Sequence, residues 1–237
     1  MTAARIRSAA VFAFVAVLLA LAWLPRPSLA AAARDWTRTV ALAPGGGIVI
    51  GNPAARTRVI EYASYTCGHC AHVSESTVRP LLDKYVRSGK VVFEFRNAVR
   101  DRYDMVAALL ARCGPLGGFM ARNEAIFVAQ ADWVERAQEA DGGGFAGLNL
   151  ASAEERAATI ANGSGLEALL AARGVPAARQ QACLADPAIR AAVTANTTDA
   201  FQAKAIRGTP FFYVNDKAVD GYSLPALERG IAAAMRP

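Results

Sequence analysis

The stretch Val59-Ile60-Glu61-Tyr62-Ala63-Ser64-Tyr65-Thr66-Cys67-Gly68-His69-Cys70 decides the fold. Arg58 to Ser64, with Val59, Ile60 and Tyr62, reads as a buried strand leading to Cys67. Beyond Cys70, Val73, Val78, Leu81, Leu82, Tyr85 and Val86 recur at roughly helical spacing, and Pro80 is expected to kink that helix. Gly89 ends it, and Val91-Val92-Phe93-Glu94-Phe95 is a second strong strand. The unit is β-α-β with a C-x-x-C at the strand-to-helix junction. At a helix start, unpaired backbone N–H groups and the dipole favour an anion. Cys67 is therefore the candidate thiolate nucleophile, and Cys70, one turn further in, can attack a mixed disulfide. His69 between them can add positive charge or donate a hydrogen bond to the Cys67 thiolate. A stabilised thiolate favours the dithiol and makes the disulfide oxidising.

Outward from this unit, Ile48-Val49-Ile50 reads as a short strand after a Gly-rich lead-in at Pro44 to Gly47. From about Tyr103 to Ala205 the pattern is helical and Ala-rich. Ser152 with Glu155, and Ser164 with Glu167, fit the S-x-x-E capping box. Asp186-Pro187 reads as an N-cap with a first-turn proline, and Asp141-Gly142-Gly143-Gly144 as a loop inside the helical region. Pro210 then introduces the strand Phe211 to Val214, with Lys217 to Val219 as its hairpin partner. Ser223 caps a final helix from Leu224 to Met235. The order is β-α-β, a helical block, then β-β-α.

The first thirty residues read as an export signal. Arg5 and Arg7 precede an uncharged apolar run from Ala9 to Leu24, and Ser28-Leu29-Ala30 resembles a cleavage site. The run is short for a membrane span, which needs roughly 20 residues; an uncleaved anchor is the alternative. Cleavage after Ala30 removes three Arg and no acid, lowering the formal charge from +6 to +3. All four Cys would then reside where disulfides persist. The remaining positive charge is scattered, without a basic cluster interleaved with aromatics, so no nucleic-acid partner is expected. Gly45 to Gly47 precede a strand and lack a following Lys-Ser/Thr pair, which argues against a phosphate loop.

Two further readings of the C-x-x-C are a metal site and a structural disulfide. A metal-binding or metal-delivery site would need Cys67, Cys70 and a His, or the remaining Cys113 and Cys183, and no second C-x-x-C exists. A structural disulfide across two residues is disfavoured geometrically. Redox chemistry remains the leading reading.

The sequence resembles the thioredoxin superfamily, and more narrowly the DsbA-like thiol:disulfide oxidoreductases. The resemblance rests on Val59 to Cys70, on the helical insertion between two halves of the fold, and on Gly208-Thr209-Pro210-Phe211 ahead of a late strand. It implies an α/β class: a thioredoxin fold with a helical domain inserted between its β-α-β and β-β-α halves. The expected organisation is a signal peptide at 1–30, a flexible lead-in at 31–47, a thioredoxin-like domain from 48–98 and 206–237, and an inserted helical domain at 99–205. It implies a cis Pro210 lying against the cysteines, where the residue alone would suggest a trans strand-start proline. The exposed backbone of Thr209 would then hold an extended substrate segment. It implies that Glu61, six residues before Cys67, is a buried acid able to exchange a proton with Cys70; a solvent-facing strand-edge Glu is the alternative. His72 is expected on the helix surface. It further implies a second, non-catalytic disulfide between Cys113 and Cys183, with two free buried thiols as the alternative.

The implied function is a periplasmic enzyme that introduces disulfides into secreted proteins, without a cofactor. Its partners would be reduced or unfolded secreted proteins and a membrane-bound, quinone-linked reoxidase, and the chain would act as a monomer. Gly68-His69 and Thr209 depart from the oxidase pattern toward that of disulfide isomerases and reductases, which is the alternative for the same site. Against isomerases, some 17 residues between Ala30 and Ile48 leave no room for an N-terminal dimerisation domain, and Met235-Arg236-Pro237 is no retention signal.

Overall fold

The protein is described by a computed structural model, covering residues 34–140 and 152–236. The expected signal at 1–30 and the loop at Asp141 to Gly144 lie outside the described residues.

The centre is a six-stranded sheet of order β1-β2-β4-β3-β5-β6. Its strands are β1 (Val40–Leu42), β2 (Ile48–Gly51), β3 (Thr57–Ala63), β4 (Val91–Asn97), β5 (Phe211–Val214) and β6 (Lys217–Ala218). Only β3 and β4 pair in parallel, joined by the helical crossover that follows Cys67. β5 lies antiparallel to β3, with Val59 opposite Val214 and Tyr62 opposite Phe211. The chain therefore leaves the sheet after β4 and returns on the other side of β3.

β3 is central and buried on both faces. Val59 and Ala63 enter the main core with Phe93 and Phe95 of β4. Ile60 and Tyr62 face the other way, into a smaller cluster with Ala200, Ile206 and Tyr213. That face also carries charge: Glu94 bonds both Arg58 (2.6 Å) and Arg96 (2.7 Å), and Arg96 reaches Asp199 (2.6 Å). Glu94 is buried, and a buried carboxylate persists only with such partners.

The crossover begins as α1 (Gly68–Val73) and continues through a π-turn at Ser74–Val78, the short α2 (Arg79–Leu81) and a second π-turn at Leu82–Val86. Pro80, expected to kink this helix, sits between the two widened turns. Proline removes one i→i−4 bond and its ring needs space at the preceding turn, which i→i+5 bonding accommodates.

Between β4 and β5, the described helices are α3 (Arg102–Ala111), α4 (Phe119–Val128), α5 (Gln130–Ala140), α6 (Ala153–Gly163), α7 (Leu166–Ala171), α8 (Ala177–Leu184) and α9 (Pro187–Thr198). The chain closes with α10 (Leu224–Ala234), capped by Ser223. The Ser152–Glu155 capping box forms, as does the Asp186 cap. The Ser164–Glu167 box does not: Gly165, at φ +79°, caps α7, and Ser164 ends α6 instead.

The lead-in is a correction. Residues 34–47, expected to be flexible, hold a 3₁₀ turn at Trp36–Arg38, capped by Asp35, and then β1, which pairs with β2. A three-residue, half-exposed edge strand has too few positions for alternation to register.

An aromatic cluster ties the sheet to the helical block. Phe95 of β4 lies 5.6 Å from Phe119 and 5.9 Å from Tyr65 between ring centroids, and Tyr65 lies 4.8 Å from Phe127. Such pairs contribute about 0.5–1.5 kcal/mol each beyond their burial. Tyr65 stands two residues before Cys67, so this cluster anchors the chain where the site begins.

Candidate active site

Cys67 is the N-cap of α1, in extended conformation (φ −96°, ψ 114°), so its side chain lies at the open end of the helix. The turn into it is held from several sides. Cys67 N–H donates to Ser64 O (3.2 Å). Tyr65 N–H donates to the buried carboxylate of Asp104 (2.8 Å), and Tyr65 Oη to Asn123 (2.6 Å). Thr66 Oγ1 donates to Asp101 (2.6 Å), which also caps α3. Gln130 Nε2 donates to Tyr65 O (2.8 Å) and Cys67 O (3.0 Å).

Both site cysteines are free thiols and both are buried, Cys67 at 5% exposure and Cys70 completely. The two sulfurs are inequivalent. Cys67 is pulled down to about 4, first by the Cys70 thiol that donates to it and against the opposing cost of burial. Thr209 and the backbone N–H groups of Cys70 and His69 lower it further. Cys70 is pushed far up, chiefly by burial, then by its bond to Cys67 and by the nearby negative charges of Cys67 and Glu61.

Thr209 and Pro210 face this pair. Thr209-Pro210 is a cis peptide. In the thiol form Cys67 Sγ donates to Thr209 O at 3.2 Å. Thr209 Oγ1 is buried without a hydrogen-bond partner in this geometry, yet lies close enough to lower Cys67. The loop from Lys204 to Phe211 walls a groove of about 450 Å³ beside the site.

Glu61 is 2% exposed in the middle of β3, and Oε1 has no partner. Burial raises its carboxyl to about 8. It shares a sheet face with Val59 and Ala63, the face that packs on α1, and its charge acts on Cys70.

His69 is exposed, and its ring stands 6.1 Å from that of Tyr222 between centroids. Its backbone N–H, rather than its imidazole, is the group that lowers Cys67. His72 is exposed on the helix surface. Among the described residues no three of His, Cys, Asp and Glu converge, so the metal-delivery reading has no donor set. Cys113 and Cys183 are bonded to each other, Cα to Cα 5.7 Å, away from the dithiol.

Four residues that hold the site's turn were not read from the sequence: Asp101, Asp104, Asn123 and Gln130. Asp101 carried a signal, as an acid heading an Ala-rich helix. Gln130, 60 residues beyond Cys70 in a helical block, carried none.

A dithiol at a strand-to-helix turn, opposed by a cis-proline loop from the other half of the sheet, defines the thioredoxin fold, here with a helical insertion after β4. A family model described as thioredoxin matches residues 44–231, and the chain belongs to that family. The crystal structure of a protein-disulfide isomerase from Novosphingobium aromaticivorans is 30% identical, with TM-score 0.70, covering 81% of this chain and 98% of that one. The structure of Wolbachia pipientis alpha-DsbA1, at 22% identity and TM-score 0.62, covers 82% and 95% and shares the fold. A Rickettsia prowazekii relative named "Putative protein-disulfide oxidoreductase RP025" is 26% identical over 189 residues, 79% of this chain and 61% of that one. The chain thus spans about three fifths of the length of the curated relatives it matches.

Proposed function

We propose that the protein is a thiol:disulfide oxidoreductase that introduces disulfides into secreted proteins through Cys67 and Cys70. The observation that carries this reading is the opposed pair of thiols against the Thr209 carbonyl: one stabilised as thiolate, the other held protonated.

In the oxidised form a substrate thiolate attacks Cys67 Sγ, the outer sulfur. The Cys67–Cys70 bond breaks and its electron pair leaves on Cys70, which takes a proton. Glu61, held protonated to about 8, is the donor for that proton. A second substrate thiolate then attacks the substrate sulfur of the mixed disulfide. Cys67 leaves as a stable thiolate, a good leaving group. Two substrate thiols become one disulfide, and the two electrons rest in the reduced pair. Thr209 offers its backbone to an extended substrate segment, and Pro210 shapes the wall beside it.

A membrane-bound, quinone-linked reoxidase returning the pair to the disulfide, a periplasmic location after removal of residues 1–30, and action as a monomer complete the proposal. The Novosphingobium relative is named an isomerase, and Thr209 precedes the cis-proline here. Isomerase or reductase action by the same site is therefore the second reading.

The test is oxidation of a reduced, two-cysteine model protein. Cys67→Ser is expected to abolish turnover, and Cys70→Ser, offered the disulfide form of the same model protein, to accumulate the mixed disulfide at Cys67, since no second thiol remains to resolve it. Unchanged turnover by Cys67→Ser would overturn the proposal. A redox titration with refolding of a scrambled substrate decides between the two directions: an oxidising potential with poor unscrambling marks the oxidase.

A further inference from the structure

We propose that Gln130 is a positioning residue for the dithiol: its amide, donated to the carbonyls of Tyr65 and Cys67, holds the turn so that the N–H groups opening α1 face Cys67 Sγ, and thereby sets the reactivity of that thiol. The inference rests on Cys67 being the sulfur that exchanges with substrate.

Gln130 opens α5, directly after the corner at Ala129, and is 9% exposed. One nitrogen bridges two carbonyls that flank Thr66, at 2.8 and 3.0 Å. The amide orientation follows from its partners, since a flipped amide would set oxygen against both carbonyl oxygens. Cys67 O does not need this bond for satisfaction. It already accepts from Cys70 N–H (3.0 Å) and Ala71 N–H (3.2 Å) in the first turn of α1. The additional donor therefore fixes direction: it pins the peptide that leads from Cys67 into the helix. That peptide aims the His69 and Cys70 N–H groups, both of which lower Cys67.

The corner carrying Gln130 is itself rigid. Trp133, 1% exposed, donates its ring N–H to Ile126 O at 2.9 Å, and its backbone N–H to Ala129 O at 3.1 Å. Gln130 is thus a braced side chain, and it reaches the carbonyl of Cys67 itself.

The experiment measures the iodoacetamide alkylation rate of Cys67 in the reduced full chain against pH, with thermal unfolding alongside. Gln130→Leu keeps the bulk and removes both donated bonds. Its alkylation midpoint is expected to rise by about one pH unit, with a reaction about twofold slower near pH 5 and about fivefold slower near pH 4. Trp133→Phe loses one buried bond in the same corner without touching the turn. It is expected to lower Tm and leave the midpoint in place. If Gln130→Leu fails to fold, Gln130→Met keeps the length of the side chain and offers no donor or charge; the same upward shift is expected. An unmoved midpoint in the folded Gln130 variant, or an equal shift in Trp133→Phe, overturns the inference. A wild-type midpoint in the ordinary thiol range would instead sink the oxidoreductase reading itself.

Discussion

Gly68 occupies the first position of α1, and its requirements are those of a proline. Cys67 before it is already extended, as the residue preceding proline must be. The first helical position needs no donated N–H. A Cβ there would meet only Gln130 Oε1, at 3.9 Å. Gly68→Pro is therefore expected to fold and to raise stability by about 0.4–1 kcal/mol through the unfolded chain, seen as a higher Tm of the reduced protein. A lowered Tm would mean that the turn uses a conformation proline cannot take. Glu61 poses the opposite case, a costly residue retained. Glu61→Gln keeps the volume but cannot pass a proton to Cys70, so stopped-flow measurement should show a release of Cys70 slower by about 10²-fold or more. The C-x-x-C stood out in the sequence because few residue types serve there, whereas Pro210 reads by itself as a trans strand-start proline and enters the site only through the family resemblance. His69 acts on the sulfur through its backbone N–H, and its side chain is exposed.

At the scale of elements, the disulfide fastens α8 to the end of α3, across a separation of 70 residues. The loop-entropy argument gives about 4 kcal/mol for such a closure, often less in practice. Cys113→Ala with Cys183→Ala is expected to lower the urea midpoint accordingly while leaving Cys67 alkylation unmoved; a displaced alkylation profile would show the bond coupled to the site. The strong strands and the final helix could be read from apolar runs and caps. β1 could not, because three half-exposed residues hold no period, and its place depends on β2 lying beside it. The two π-turns around Pro80 were equally hidden. Proline announces a lost bond, but whether the helix bends or widens is decided by what packs on it, here the sheet face bearing Val59 and Phe93.

Across the whole molecule, buried protons set the pH response. Burial raises Glu61 from 4.5 to about 8 and Asp104 from 3.8 to about 7, while Cys67 falls from 9.0 to about 4. Between about pH 5 and 7 the reduced native chain thus holds two protons that the unfolded chain has lost and lacks one that it keeps. One net proton is bound on folding, so stability falls as pH rises, by up to about 1.4 kcal/mol per unit. Urea titrations should show this fall, nearly flattened in Glu61→Gln and steeper in Cys67→Ala. A rise with pH in the wild type would contradict the assignment of the buried carboxyls. The split of the sheet around a helical block was visible from the order of strands and helices, whereas the grip of that block on the dithiol turn was not, because it runs through single polar side chains. The strand order carries one more consequence. Cys67 and the Thr209 carbonyl it meets are 142 residues apart. A ribosome makes them in that order, so the growing chain carries two cysteines whose opposing wall does not yet exist. The share of the thiol's stabilisation that Thr209 supplies is then a late acquisition, gained when β5 closes beside β3, while the share from Cys70 and His69 comes with the local turn.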